Sequence, residues 1–265
     1  MLINKYTIVS NISNGEFGEV LKVTYNDKIY AMKYGAKELI KYEIQIYKQL
    51  KSCSNISSIH DVFEYNNNMY MVLDLYSMTL VGYKLQNYEN ENYFERCITI
   101  IKSLIVIIKT IHDNNIVHRD LKPSNICLDS NYRLYIIDFG ISKIYRHSNV
   151  HNSETKIKGV IGSINFSSLN VIYLIEPSRR DDIESLFYVL IYLLIDNKDY
   201  KVYDSLNNYD KKNIQTITYL MQYTLNIQKI DYELLSKLFN YIRRLKYNQE
   251  PQYDYIVELL SKIVK

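Results

Sequence analysis

The sequence has no tryptophan, and among its 265 residues it contains only seven glycines, three prolines and three cysteines. The cysteines lie far apart and are odd in number, so they predict neither a disulfide framework nor a paired-cysteine metal site. We therefore expect the protein to occupy a reducing compartment. The few glycines and prolines are expected where the backbone requires them.

Long hydrophobic runs and a strong charge imbalance are missing as well. The N-terminus lacks the apolar stretch of a signal peptide, and the most apolar segment, 98–111, is too short to span a bilayer. The 32 basic residues barely exceed the 29 acidic ones, which does not predict a nucleic-acid-binding surface. We expect an intracellular, cytoplasmic protein with neither nucleic acid nor a membrane as partner. The abundant Ile, Asn, Lys and Tyr have AT-rich codons, which favours an AT-rich microbe or a virus acting in the host-cell cytoplasm.

Hydrophobic periodicity divides the chain into a strand-rich first part and a mostly helical remainder. Strands are predicted at 6–11, 19–25, 28–33, 60–65 and 69–75, with turns at 26–27 and 66–68. Helices are predicted at 37–50, 93–113, 182–194, 212–224, 232–245 and 253–263. Short strands at 126–128 and 134–137 and a polar loop at 145–159 lie among the helices. This order predicts a small sheet-plus-helix lobe followed by a larger helical lobe, with a ligand in the crevice between them.

Two of the scarce glycines, Gly15 and Gly18, lie between the first two predicted strands. Glycine allows backbone N–H groups to approach phosphate oxygens, so the segment 13–20 predicts a loop that covers phosphates. A simple glycine-containing hairpin explains the same pattern. Ser13 also occupies the first glycine position of the G-x-G-x-x-G pattern.

Lys33 ends the third predicted strand, thirteen residues beyond Val20. A lysine in this place is either a solvated surface charge or a ligand of the α- and β-phosphates beneath the glycine-containing segment. Glu43, on the following helix, is the candidate partner for its ammonium group. Glu38 is the competing candidate, although an acid at a helix start also interacts favourably with the helix dipole.

Four polar residues in a short stretch carry the strongest chemical signal. The oxygen-bearing side chains of Asp120, Asn125 and Asp138 fall within nineteen positions, and Lys122 stands beside them. Phosphoryl transfer needs side chains of these types: a carboxylate to receive the proton of the acceptor hydroxyl, oxygen ligands for Mg²⁺ and a cation near the γ-phosphate. The spacing therefore predicts a phosphotransferase.

The segments around these residues resemble the eukaryotic-type protein kinases. The resemblance rests on His118-Arg119-Asp120 and Asp138-Phe139-Gly140. The segments 162–170 and 175–185, and the chain end at 238–255, are similar to the casein kinase I group, which includes the vaccinia-related kinases. The resemblance extends over residues 5–263.

This resemblance implies an α+β, bilobal protein-kinase fold in one domain, 1–265, with an N-lobe of about 1–75 and a C-lobe of about 76–265. It implies a serine/threonine protein kinase that uses ATP and Mg²⁺ and phosphorylates Ser and Thr hydroxyls of protein substrates. The implied catalytic residues are Asp120, Lys122, Lys33 and Glu43, and the implied metal ligands are Asn125 and Asp138. The implied ATP-binding residues are Ile12, Ser13, Asn14, Gly15, Glu16, Phe17, Gly18, Val20, Ala31, Lys33, Leu73, Asp74 and Leu75. Asp182 is expected to start a central helix and to accept hydrogen bonds from the catalytic-loop backbone; a simple helix cap is the alternative.

Several positions depart from the family pattern and keep other functions open. Asn165 stands where casein kinase I enzymes usually carry an anion-binding arginine, and the segment 196–210 is shortened. Ser13, in place of the first glycine, favours a pseudokinase, which is a scaffold that binds partners or nucleotide without phosphoryl transfer. The presence of Lys33, Asp120, Asn125 and Asp138 argues against it. A kinase acting on a small molecule is the third alternative, which the protein-kinase-like segment 162–185 disfavours.

Overall fold

The computed structural model of the protein describes residues 2–15, 18–196 and 230–264. The chain divides into two units, one formed by Met1–Thr79 with Cys127–Ser142 and the other by Leu80–Ile126 with Lys143–Lys265. The predicted helix at 212–224, nearly all of the segment 196–210, and the predicted ATP-binding residues Glu16 and Phe17 lie outside the described residues. The single domain over 1–265 with two consecutive lobes stays a prediction.

The first unit is built on a six-stranded antiparallel sheet with the strand order β1-β2-β3-β4-β6-β5. Its strands are β1 (Leu2–Ile3), β2 (Tyr6–Gly15), β3 (Gly18–Tyr25), β4 (Lys28–Gly35), β5 (Ile59–Tyr65) and β6 (Asn68–Asp74). The helix α1 (Lys37–Gln49) follows β4. The five strands predicted for this part are confirmed, and β2 extends four residues further than predicted, into the glycine-containing segment.

Asparagine and aspartate residues close two hairpins of this sheet. Asn26 and Asp27 have φ angles of 48° and 59°, and Asn66 and Asn67 have φ angles of 46° and 64°. These residue types tolerate the left-handed backbone conformation that tight two-residue turns require. The turns thereby fix the register of β3 with β4 and of β5 with β6.

Tyrosine rings form much of the core on one face of the sheet. The rings of Tyr6, Phe63, Tyr70 and Tyr34 stack in a row, with neighbouring centroids 6.0, 5.1 and 4.9 Å apart. The hydroxyls at the ends of this row donate to carboxylates, Tyr6 to Asp61 and Tyr34 to Glu19. These tyrosines thus contribute an apolar ring to the core while their hydroxyl groups remain hydrogen-bonded.

A second, three-stranded sheet brings the segment Cys127–Ser142 into the first unit. It contains β7 (Met78–Thr79), β9 (Ile126–Leu128) and β10 (Leu134–Ile136), in the order β10-β9-β7. Asn55, which follows α1 in the chain, holds β10 in place through two hydrogen bonds. Its side-chain amide donates to Leu134 O at 2.8 Å, and its backbone carbonyl accepts from Ile136 N at 3.0 Å. These contacts fix the strand that leads to Asp138.

The second unit is mostly helical. Its described helices are α2 (Leu80–Asn87), α3 (Tyr93–Asp113), α4 (Leu169–Ile172), α5 (Arg179–Leu194), α6 (Tyr232–Arg244) and α7 (Tyr253–Ile263). Two short strand pairs accompany them, β8 (Ile116–Val117) with β11 (Lys143–Ile144) and β12 (Arg146–His147) with β13 (Val150–His151). Nearly every residue of α5 is buried, and this helix packs on α3 and α6. Among the described helices, none is long and apolar enough to cross a membrane.

Two predicted elements differ from the structure. The helix expected to start at Asp182 begins at Arg179, because Ser178 caps it in a capping box with Asp181. The polar loop predicted at 145–159 contains the hairpin β12–β13, whose turn has Ser148 and Asn149 at φ angles of 47° and 66°. Strands of two residues carry too short a pattern to be found from periodicity.

Candidate active site

Lys33 lies on β4 with its ammonium group buried between two carboxylates. Its Nζ is 2.8 Å from Glu43 Oε2, on α1, and 2.7 Å from Asp138 Oδ1, shortly after β10. Burial alone would lower the pKa of Lys33, but the two carboxylates outweigh it and hold the pKa above its ordinary value. The side chain is therefore a charged group fixed in place. The prediction that Lys33 ends its strand is wrong, because β4 continues to Gly35.

Of the two acids that competed for Lys33 in the sequence, the structure selects Glu43. Glu38 is exposed at the start of α1, 3.8 Å from Lys41. The buried Glu43 also accepts a hydrogen bond from Phe139 N at 3.1 Å. Burial raises the pKa of Glu43, and the ammonium of Lys33 opposes that rise. Glu43 therefore holds both the lysine and the backbone that follows Asp138.

Asp138 has a left-handed backbone conformation, with a φ of 68°. Such a conformation costs a residue other than glycine about 1–2 kcal/mol, so its surroundings must maintain it. Asp138 N donates to the Tyr47 hydroxyl at 3.3 Å, and the buried Phe139 ring packs edge-on against Tyr47 with centroids 5.1 Å apart. Tyr47 was not among the site residues predicted from the sequence; its position one helical turn after Glu43, on the same face of α1, was the available signal.

Cross-strand register places four of the predicted ATP-binding residues on one face of the first sheet. Val20 lies opposite Lys33, and Ala31 lies opposite Leu73. Directly paired residues share a face, as do alternate residues of one strand, so both pairs line the same face. This face carries the ammonium of Lys33.

The glycine-containing segment forms the hairpin between β2 and β3. Gly15 pairs with Gly18, and Ser13 pairs with Val20. Gly18 has a φ of 131°, and a Cβ at this position would lie 2.5 Å from Tyr34 O, so only glycine fits. Three other predicted ATP-binding residues, Ile12, Ser13 and Asn14, are exposed on β2.

Asp74, one of the predicted ATP-binding residues, is the last residue of β6. The Asp74 carboxylate accepts a hydrogen bond from Ser58 N at 2.8 Å and lies 2.7 Å from His60 Nε2. These contacts tie its side chain to the start of β5. The contribution of Asp74 and Leu75 to an adenine site would therefore come from their backbone groups.

In the second unit, the carboxylate of Asp120 is held by three donors. Its Oδ1 accepts from Ser163 N at 2.8 Å, and its Oδ2 lies 2.8 Å from Lys122 Nζ and 3.1 Å from Asn125 Nδ2. The Lys122 ammonium also donates to Ser163 Oγ at 2.8 Å. Carboxylate, ammonium and amide are thus brought together as the sequence spacing predicted. Ser163 was not among the predicted site residues.

Gly162 allows this close approach of Ser163 to the loop that contains Arg119 and Asp120, which is the predicted catalytic loop. Its φ is 79°, and a Cβ on it would lie 2.5 Å from Arg119 O and 3.2 Å from Asp120 Oδ1. Only glycine satisfies both the left-handed backbone and the short distance. The scarcity of glycine in the sequence was the signal that marked this position.

Asp182 supports the catalytic loop from within the first turn of α5. Its carboxylate accepts from His118 N at 2.8 Å and from Arg119 N at 2.9 Å. Burial would raise the pKa of Asp182, but the His112 ring and these N–H groups hold it below its ordinary value. The expected hydrogen bonds to the loop backbone are confirmed, and the cap alternative is wrong because Ser178 caps the helix.

The donor chemistry of Asn125 and Asp138 fits Mg²⁺. Asn125 donates through its amide nitrogen to Asp120 O and Oδ2, so its amide oxygen is the atom that a cation would bind. Mg²⁺ commonly takes one or two protein oxygen ligands and completes its shell with phosphates and water. Within 2–15, 18–196 and 230–264, no cluster of three or more His, Cys, Asp or Glu side chains forms a separate metal site.

Known proteins match nearly the whole chain. The sequence pattern of the protein kinase domain matches residues 6–263. The probable casein kinase I homolog of Encephalitozoon cuniculi (strain GB-M1) is 33% identical, over 98% of this chain and 85% of that protein. Casein kinase I homolog 2 of Schizosaccharomyces pombe is 26% identical, over 98% of this chain and 62% of that protein. The solved structure of vaccinia related kinase 3 has a TM-score of 0.73 at 17% identity, over 97% of this chain and 86% of that one, and therefore shares the fold.

Proposed function

The chain belongs to the protein kinase domain family and is a serine/threonine protein kinase similar to casein kinase I, and from this premise we propose how its residues transfer phosphate. The α+β protein kinase fold and the kinase class predicted from the sequence are confirmed by these similarities. The family uses ATP and Mg²⁺ to phosphorylate proteins. The observation that carries the assignment of residues is the buried Lys33 ammonium between Glu43 and Asp138.

We assign ATP binding to the sheet face that carries Lys33. Its fixed ammonium would bind the α- and β-phosphates, while the β2–β3 hairpin would cover them. Val20, Ala31 and Leu73 share this face and would contact the adenine. The remaining members of the assigned site are Ile12, Ser13, Asn14, Gly15, Glu16, Phe17, Gly18, Asp74 and Leu75.

We assign Mg²⁺ binding to Asn125 and Asp138, whose oxygens suit a hard cation. When bound, the ion would neutralise the charge of the phosphates. Asp138 is also held by Lys33, so the lysine orients one of the proposed metal ligands. In the kinase family, a lysine and metal ligands of these types act on the phosphates of ATP.

Asp120 would orient the acceptor hydroxyl and take its proton. The hydroxyl oxygen forms a bond to the γ-phosphorus while the bond from that phosphorus to the bridging oxygen of ADP breaks, and the proton passes to the Asp120 carboxylate. Lys122, which contacts the same carboxylate, would stabilise the charge on the transferring phosphoryl group. The substrates would be proteins with Ser or Thr acceptors, and we place the activity in the cytoplasm.

A matched pair of variants tests the role of Asp120. Asp120→Asn keeps the size of the side chain but cannot take the proton, so we expect transfer from radiolabelled ATP to casein to fall at least about a hundredfold. Asp113→Asn, an exposed residue at the end of α3 that pairs with Lys109, should leave the rate unchanged. Near-normal transfer by D120N would remove Asp120 from the reaction.

A further inference from the structure

A buried histidine at the end of α3 connects the last helix of the chain to the catalytic loop. Both ring nitrogens of His112 have oxygen partners: Nδ1 lies 2.7 Å from the Tyr253 hydroxyl, and Nε2 lies 2.9 Å from Asp182 Oδ2. All three side chains are buried. The contacts join α7, α3 and α5, and no step of the proposed mechanism uses His112 or Tyr253.

The connection continues from Asp182 to the backbone beside Asp120. Asp182 accepts from the N–H groups of His118 and Arg119, and Asp120 N donates to His118 Nδ1 at 3.2 Å. Arg119 has a φ of 74°, a left-handed conformation that is unfavourable for a residue with a side chain. The Asp182 carboxylate compensates for that strain directly before Asp120.

The Asp182 carboxylate fixes the direction of one of these hydrogen bonds. Asp182 is held ionised by its donors and can only accept, so His112 must donate through Nε2–H. In the neutral imidazole, Nδ1 would then be the acceptor, and the Tyr253 hydroxyl would donate to it. Without that hydroxyl, Nδ1 would be a buried acceptor without a donor, and the ring would lose the contact that orients it toward Asp182.

We propose that Tyr253 is a positioning residue for catalysis, which holds His112 in the orientation and tautomer that fix Asp182 and, through it, the backbone of Arg119 and Asp120. A second hydrogen bond orients catalytic and metal-binding histidines in the same way. The proposal depends on His112 keeping that orientation. It rests on the proposed role of Asp120. The C-terminal helix α7 thereby contributes to kcat although it supplies no group to the reaction.

Replacement of one hydroxyl group tests the proposal, with a matched control in the same unit. Tyr253→Phe removes the donor to His112, whereas Tyr93→Phe removes a buried tyrosine hydroxyl of α3 that donates to Leu193 O at 3.0 Å. Each variant loses a buried hydroxyl with its hydrogen bonding, so each should lower Tm by about 2–4 °C. Only Y253F should lower kcat, by about fivefold to tenfold, with KM for ATP within about twofold of the wild type.

The ring nitrogens of His112 give a second measurement that does not depend on catalysis. In ¹⁵N-histidine NMR spectra, the wild type and Y93F should show a protonated Nε2 and a hydrogen-bonded Nδ1, and the Nδ1 resonance should move in Y253F alone. An active wild type with equal kcat for Y253F and Y93F, or an unmoved Nδ1 resonance, overturns the inference. An inactive wild type with the expected spectra counts instead against the proposed function.

Discussion

The buried charge of Lys33 is the single-residue feature on which the proposed nucleotide site depends most. Lys33→Met fills the same space but cannot contact phosphates, so we expect transfer to fall by several orders of magnitude. The variant also leaves the carboxylates of Glu43 and Asp138 without their cation and should unfold at a lower temperature. Radiolabelled ATP assays and thermal unfolding measure the two effects. Lys28→Met, at the exposed start of the same strand, is the control, and equal rates for K33M and K28M would show that Lys33 does not act on the nucleotide.

Backbone strain at one exposed tyrosine gives a second prediction for a single residue. Tyr132 has a φ of 60° in the turn before β10, a conformation that glycine adopts without cost. Tyr132→Gly should therefore stabilise the chain by about 0.5–1 kcal/mol, visible as a small rise in Tm. Tyr173→Gly changes a comparably exposed tyrosine with an ordinary φ of −81°, and it should lower Tm. Equal losses in both variants would show that the strain at Tyr132 is negligible.

Among the connecting segments, the one that carries Gly162 and Ser163 depends on its approach to the catalytic loop. Gly162→Ala would place a methyl group against Arg119 O in a backbone conformation that alanine avoids, so the contacts of Ser163 with Asp120 and Lys122 should be lost. We expect kcat to fall at least about tenfold. Gly159→Ala is the matched control, because a Cβ there meets nothing within 4 Å. Comparable kcat values for G162A and G159A would refute the dependence.

The packing of α2 on α5 involves a buried lysine and therefore responds to pH. Lys84 Nζ donates to Tyr192 O at 2.7 Å and lies 4.2 Å from the centre of the Tyr192 ring. Burial lowers the pKa of Lys84 from 10.5 to about 8. Below about pH 8 the lysine is protonated in both the folded and the unfolded chain; between about pH 8 and 10.5 only the unfolded chain keeps the proton.

The free energy of unfolding of the wild type should therefore rise relative to that of Lys84→Met as the pH increases through this window. The slope of the difference should reach at most about 1.4 kcal/mol per pH unit. Urea unfolding at pH 7, 8, 9 and 10 measures it, with the exposed Lys237→Met as control. A constant difference between wild type and K84M across the window would falsify the lowered pKa of Lys84.

At the scale of the whole molecule, the sequence predicted what regular patterns and spacing encode. The long helices α3 and α7 were found with their observed ends, because apolar periodicity and polar ends agree there. Sequence spacing also made Glu43 a candidate partner of Lys33 and grouped Asp120 with Asn125, and both pairs are in contact in the structure. Ser163, Tyr47 and the Tyr253–His112 contact were missed, because such partners are set by tertiary packing between distant segments and leave no local pattern.

The position of Lys122 predicts which hydroxyl groups the enzyme phosphorylates. The Lys122 ammonium is fixed between Asp120 and Ser163, a position that we expect to suit a short acceptor such as serine or threonine. A tyrosine hydroxyl stands several ångströms further from its backbone and would need a peptide bound deeper. We therefore expect phosphoserine and phosphothreonine in peptides that differ only in the acceptor residue, and in the chain itself, where Ser148, Ser153 and Thr155 are candidate sites.

The abundance of tyrosine makes autophosphorylation a stringent form of this test. The chain offers 28 tyrosines, so phosphorylation confined to serine and threonine cannot be explained by a lack of tyrosine acceptors. Phosphoamino-acid analysis after incubation with radiolabelled ATP gives the answer, and D120N supplies the background. Predominant phosphotyrosine in both the chain and the Tyr-containing peptide would mean that the position of Lys122 does not select the acceptor, and that the depth of the peptide site does.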